Sequence, residues 1–190
     1  MIVGVLVLLA VATAPIQQPD PFTAALVAGV DDSIVELKSA DPQARVGAAL
    51  MLGLAGDKAQ KAVPDLLVLM KDPVPRVRAF VALALGDIAP KLMPVREALE
   101  AALLTDAEGE VRSSAAASLG KGASADSVGA LVRALRDVDA RTRLESLRAL
   151  EAIEATAVRG ASPAIQSLAK DADADVRAAA ESLLKKLRVD

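Results

Sequence analysis

The chain contains no His, Cys, Trp or Tyr, and only two Phe. Without Cys there is no disulfide, no thiolate nucleophile, no iron–sulfur cluster and no lipoprotein thioether. Without His there is no Ser–His–Asp triad, no imidazole base and no ordinary zinc or haem site. Only oxygen ligands remain, which suit Mg²⁺ or Ca²⁺, and neither a cofactor nor a catalytic residue is expected. The net charge is −3, from 22 basic and 25 acidic residues. That balance leaves no basic surplus to neutralise phosphates, and the missing aromatics remove base-stacking platforms. No nucleic-acid partner is therefore expected.

Small and aliphatic residues dominate instead. Of 190 residues, 41 are Ala and 27 are Leu. The length suits one domain or one repeat array.

The first charged residue is Asp20, and Ile2 to Ala14 is an unbroken run of small and apolar residues with one Thr. Thirteen helical residues would span about 20 Å, short of a hydrocarbon core of about 30 Å. The length suits the h-region of a signal peptide. Both Ala10-Val11-Ala12 and Ala12-Thr13-Ala14 have the small-x-small form of a cleavage site, and Pro15 favours cleavage after Ala12. No Lys or Arg precedes the run, so a short hydrophobic helix stays open beside export or membrane tethering. Residues 1–14 are thus expected to be a hydrophobic leader and 15–22 a Pro-rich linker. Residues 23–190 form the folded body, placed outside the cytoplasm, with the leader as its sole means of membrane contact.

One motif recurs in the body: Asp, four variable residues, Val-Arg, then an Ala-rich helix ending in Leu and often Gly. It is clearest from Asp72 through Val77-Arg78 to Leu85-Gly86, and from Asp106 through Val111-Arg112 to Leu119-Gly120. It returns from Asp171 through Val176-Arg177 to Leu184. Weaker copies run from Asp137 through Thr142-Arg143 to Leu150 and from Asp41 through Arg45-Val46 to Leu54. The Asp positions 41, 72, 106, 137 and 171 are spaced by 31, 34, 31 and 34 residues. A second helix precedes each Asp: Ile34–Ser39, Pro64–Lys71, Pro94–Thr105, Ser127–Arg136 and Pro163–Lys170. Pro64, Pro94 and Pro163 stand in first helical turns, where a missing N–H costs little. The expected fold is all-α, a solenoid of about five stacked helical hairpins, each a helix A, an Asp-led turn and a helix B. The extra residues of the 34-residue steps fall in a longer helix A near Pro94 and a longer loop near residues 157–162.

This pattern resembles HEAT repeats, in particular the short HEAT-like type of about 30 residues found in phycobilisome lyases. The resemblance covers Ser33 to Asp190 and rests on the Asp, Val-Arg and Leu-Gly positions. It implies a structural ladder in which Asp72, Asp106, Asp137 and Asp171 pair with Arg78, Arg112, Arg143 and Arg177 of adjacent units. Gly47 stands where the first unit would carry its Arg, which marks that unit as a cap. It also implies that helices B line a concave binding face.

Counting helix B from the Val position, 0, +4, +7 and +8 form a core stripe. Positions +2, +5 and +6 point away from it. They place Met51, Leu52, Leu83, Leu144, Leu147 and Arg148 on a candidate surface for a protein partner. Either these form a groove, or the wheel is out of phase and they pack on neighbouring helices. Phe80, on the flank, reads as core.

Two motifs lead nowhere. Asp171-Ala-Asp-Ala-Asp175 imitates a calcium loop but has Val176 and Ser182 where Gly and Glu are needed. Gly120-Lys-Gly-Ala-Ser lacks phosphate-loop spacing and reads as a helix stop and linker.

The sequence is thus read as a non-catalytic protein-interaction scaffold. The alternatives are an accessory subunit or lyase-like enzyme of the same repeat type, or a membrane-tethered assembly factor. Two catalytic relatives of the architecture are excluded by composition. Deoxyhypusine hydroxylase needs His ligands, and the DNA alkyl-base glycosylases use aromatics around the extruded base.

Overall fold

The computed structural model describes residues 21–189, so the leader and most of the linker lie outside the described residues. The helices are α1 (Pro21–Ala28), α2 (Val30–Glu36), α3 (Pro42–Ala55), α4 (Val63–Leu69), α5 (Pro75–Ile88) and α6 (Met93–Thr105). They continue as α7 (Gly109–Gly122), α8 (Val128–Ala134), α9 (Ala140–Ala152), α10 (Ala155–Val158), α11 (Ser162–Ser167) and α12 (Ala174–Val189). No strand occurs among the described residues. Pro21, expected in the linker, opens α1.

Five hairpins result: α2/α3, α4/α5, α6/α7, α8/α9 and α11/α12, with α1 packed on the first. The second helices α3, α5, α7, α9 and α12 stack on one another in that order. Prolines open several helices, among them Pro42, Pro64, Pro75, Pro94 and Pro163, where the fixed φ is already helical. Asp41 and Asp139 cap α3 and α9 by accepting the Gln43 and Thr142 N–H groups, as short acceptors do at an N-cap. The extra residues of the longer steps lie in α6, which has 13 residues against 7 in α4 and α8, and in the α10 segment.

Positions along each second helix are counted from the residue before its ladder Arg, so that position 0 is Ala44, Val77, Val111, Thr142 and Val176 in turn. Positions 0, 4, 7 and 8 of α5 are Val77, Val81, Ala84 and Leu85, all buried. Burying each large aliphatic side chain contributes about 1.5–3 kcal/mol.

The Leu-Gly signature is a packing device, not a helix stop. Gly86 and Gly120 lie inside α5 and α7, which run on to Ile88 and Gly122. A Cβ on Gly86 would lie 2.5 Å from Ser118 Cβ and 2.9 Å from Ser118 Cα. A Cβ on Gly53 would lie 3.3 Å from Ala84 Cα, and one on Gly120 would lie 3.1 Å from Ala149 Cα. In each case position 9 of one helix meets position 7 of the next, and the absence of a side chain lets the two backbones approach. α7 ends instead at Ala123, which adopts the left-handed conformation with φ 47°.

The Asp–Arg ladder is present. Arg78 donates from Nε and Nη2 to the two carboxylate oxygens of Asp106, both at 2.7 Å. Arg112 meets Asp137 in the same way at 2.7 and 2.7 Å, and Arg143 meets Asp171 at 2.8 and 2.7 Å. The remaining Nη1 of each Arg donates to the backbone carbonyl of its own unit's Asp. Each Asp Oδ1 also accepts the N–H two residues on, from Val74, Glu108, Asp139 and Asp173. Bidentate charge-assisted pairs of this kind set the register between units as well as contributing energy.

The first unit departs from the sequence reading. Its ladder donor is Arg45, which forks onto Asp72 at 2.8 and 3.0 Å. Arg45 Nη1 reaches the Ser39 carbonyl, six residues back, as Arg78 reaches that of Asp72. The anchor of the first unit is therefore Ser39, whose Oγ accepts the Asp41 N–H. Asp41 is the cap two residues later. Residue type points to Asp41 as the anchor; the six-residue separation between the Arg and the carbonyl it binds assigns Ser39 instead. Gly47 does not occupy the ladder, and numbering from Val46 is two residues out of register.

Hydrogen bonding and charge govern the ladder's titration. Burial alone would raise the Asp106 and Asp137 carboxyls. The hydrogen bonds from Arg78 and Arg112, with the backbone N–H groups, outweigh it and hold both below the usual carboxylate range. Asp171 is lowered by the Arg143 hydrogen bond against an opposing burial effect. Depressed folded-state values make the native state bind fewer protons than the unfolded chain. Their stabilisation is complete above the unfolded Asp value of about 4 and is lost as pH falls through the folded values. Denaturant titrations followed by circular dichroism should show this contribution flat from about pH 7 to 5 and falling below about pH 4. Stability unchanged from neutral pH to below both sets of values would contradict the ladder's part in it.

Candidate protein-binding surface

Each interior second helix has neighbours on three sides: its own first helix, the preceding second helix and the following one. Positions 2, 5 and 9 face the following helix, and only 3, 6 and 10 are left to solvent. Leu147, at position 5 of α9, is 1% exposed, and Leu52, at position 8 of α3, is 1% exposed. Both are core residues, not surface ones: Leu52 because numbering from Val46 is two residues out of register, and Leu147 because a wheel drawn for one hairpin omits the stacked neighbour. Leu144 is half-buried and packed against the core for the same reason. Met51, Leu83 and Arg148 keep access to solvent, and Arg148 pairs with Glu145 at 2.8 Å. The ladder residues are held in the stack and offer no separate surface. Arg177 alone among the ladder donors meets no carboxylate among the described residues; its Nη1 binds the Asp171 and Ala172 carbonyls.

The exposed row, read along the stack, is Gly47, Leu50 and Leu54, then Phe80, Leu83 and Asp87, then Ser114, Ala117 and Lys121. It ends with Glu145, Arg148 and Ala152, and Ala179, Ser182 and Lys186. The row is apolar at one end, small in the middle and charged at the other end. Leu50 and Leu54 are 48% and 55% exposed. Sequence reasoning missed them because the register slip in α3 put them in the core stripe. Phe80, expected in the core, is half-buried and borders the surface, with the Arg76 guanidinium 5.8 Å from its ring centre, a cation–π separation.

Between α3 and α5 these residues line a cavity of about 180 Å³: Leu50, Leu54, Phe80 and Leu83, floored by Ala49, Gly53 and Ala84. Asp87 and Lys121, joined in an ion pair, close its margin. Asp87 also borders a hollow of about 590 Å³ at the edge of the stack, lined by Val63, Ile88 and Leu92 among others. The arrangement can receive apolar side chains with a polar group at one rim. It places no nucleophile beside a base. The acidic run at Asp171–Asp175 is used internally: Asp171 holds Arg143, and Asp173 accepts the Asp175 and Val176 N–H groups. No group of metal-ligating side chains occurs among the described residues.

A family model described as HEAT repeats matches residues 30–101 and 96–185. No curated protein matches the chain. Among solved structures, the complex of CpcE and CpcF of phycocyanin lyase from Nostoc is similar at 26% identity and a TM-score of 0.73, covering 85% of this chain and 65% of that one. An engineered protein is similar at 25% identity and a TM-score of 0.64, over 88% of this chain and 84% of the other. A designed armadillo repeat protein in complex with the peptide (KR)4 shares the fold at 20% identity and a TM-score of 0.67, over 87% and 85% of the two chains.

Proposed function

The chain belongs to the HEAT-repeat family, and from that premise we propose that it is a non-catalytic scaffold that holds a protein partner on the exposed row of its second helices. One observation carries the reading. Leu50, Leu54, Phe80 and Leu83 form an apolar cavity that the described residues leave open to solvent. Large apolar side chains gathered in one exposed place mark an interaction surface more often than scattered single ones do. The partner would insert apolar side chains from a helix or strand between α3 and α5, with a charged residue beside the Asp87–Lys121 pair. The peptide complex of the designed armadillo neighbour and the two-chain complex of the lyase neighbour are in keeping with this use of the fold.

Affinity capture from native extract tests it, with Leu50→Asp and Leu54→Asp as paired variants. Both residues are about half exposed, so the variants should keep their helical circular dichroism while the captured partner is lost at least ten-fold. A partner retained at full level by folded variants would show that the cavity is not the site.

The second reading is a lyase-like accessory role, favoured by the likeness to the phycocyanin lyase complex. Capture of a small chromophore in place of a protein would establish it and remove the scaffold.

A further inference from the structure

Beside α1, the described residues leave the side of α3 turned away from α5 partly open. Position 7 is buried in every later second helix: Ala84 and Ala149 are 2% exposed, Ser118 0% and Leu183 1%, whereas Met51 of α3 is 45% exposed. Position 0 is fully buried in the later helices and half-buried at Ala44. Beside them at position 3, where the exposed row borders this side, stands Gly47, where an added Cβ would meet nothing within 4 Å. A glycine in a helix interior destabilises the helix relative to alanine. Gly47 has no positive φ to require it. Gly53, Gly86 and Gly120 each face a neighbouring helix at contact distance, and Gly47 faces none among the described residues.

We propose that a second copy of the chain packs its α3 against this side about a twofold axis. The face is self-complementary: Met51 stands one turn from Gly47, which has no side chain, so two antiparallel α3 helices place each Met51 over the other's Gly47. That is the reciprocal contact a twofold interface needs. Charge selects this pairing over a head-to-tail stack. Ala44, Gly47 and Met51 are uncharged, and α1 beside them carries no charged residue. The opposite end of the stack, on α12, presents Arg177, Glu181 and Lys185. Docking that end on an apolar face would bury charges without partners. Repeat arrays need their terminal faces covered or polar, and the pairing covers the apolar one.

Sedimentation of the full chain and of Gly47→Leu tests the proposal. The Cβ of a leucine there meets nothing of its own fold within 4 Å. The native chain should show a concentration-dependent dimer. Gly47→Leu should weaken it at least ten-fold while keeping or raising the Tm, and Leu83→Asp should leave it unchanged, which separates this interface from the cavity between α3 and α5. A native chain that stays monomeric at every concentration overturns it. So does a Gly47→Leu dimer of native strength. A native monomer whose Tm falls on Gly47→Leu also overturns it, because a segment of the same chain then covers Gly47.

Discussion

Gly86→Leu is expected to break the stack between α5 and α7. The added Cβ alone would lie 2.5 Å from Ser118 Cβ and 2.9 Å from its Cα, so backbone must move and not merely a flexible tip. Overpacking by one or two methylenes costs about 1–3 kcal/mol; a leucine here should exceed about 3 kcal/mol. Ser118 Oγ also donates to the Ala82 carbonyl at 2.9 Å, and separating the helices removes that bond. The same kind of change at Gly47, where nothing lies within 4 Å, should stabilise the monomer by about 0.5–1 kcal/mol on Gly47→Ala. The opposite signs isolate contact from helix propensity. Stability in a repeat stack is close to a sum of unit and interface terms, so losing one interior interface should also split unfolding into two transitions. With no Trp or Tyr in the chain, far-ultraviolet circular dichroism is the natural readout. A single transition within about 1 kcal/mol of native would show that close approach at Gly86 does not hold the units together.

Asp137→Ala is expected to cost about 3–5 kcal/mol. Asp137 accepts two hydrogen bonds from Arg112 at 2.7 Å and one from the Asp139 N–H at 2.8 Å. The two side chains are each 11% exposed, so removing the carboxylate leaves a largely buried guanidinium without its partner, and breaking such a pair costs that much. Most of the loss is the penalty of the orphaned charge, not the worth of the pair. Arg112→Met combined with Asp137→Leu should therefore recover more than half of it, since apolar replacement of both partners is often near neutral. Urea titrations of the two single variants and the double variant form the cycle. A single-variant loss under about 1 kcal/mol would place this rung among weak surface pairs.

The hairpin count and the helix order were legible in the residues, and the family resemblance implied most of the ladder. A 31- to 34-residue recurrence of Asp and Val-Arg is a local pattern, and each copy reports the same turn and the same helix. The first unit was misread where identity and position disagreed. Ser39 takes the place held elsewhere by Asp, and only the Arg45 fork on Asp72 with its bond to the Ser39 carbonyl shows the register. That slip of two residues moved Leu50 and Leu54 into the expected core and Leu52 out of it. Leu147 was misplaced for another reason. Its helix, α9, has a stacked neighbour on each flank, and a helical wheel knows only that a face is apolar, not how many helices cover it.

The missing His, Cys, Trp and Tyr and the abundance of Ala and Leu were enough by themselves to exclude thiol, imidazole and stacking chemistry and to call for closely packed helices. Periodicity added the stacked hairpins, because turn chemistry and apolar spacing act within a few residues of each other along the chain. Which glycines are contacts and which are open, and which leucines are covered, only the tertiary structure decided. Those properties depend on how near the next helix comes, a distance set by side chains some thirty residues away. Gly86 and Gly47 read alike as letters; one is pressed against Ser118 and the other faces open space.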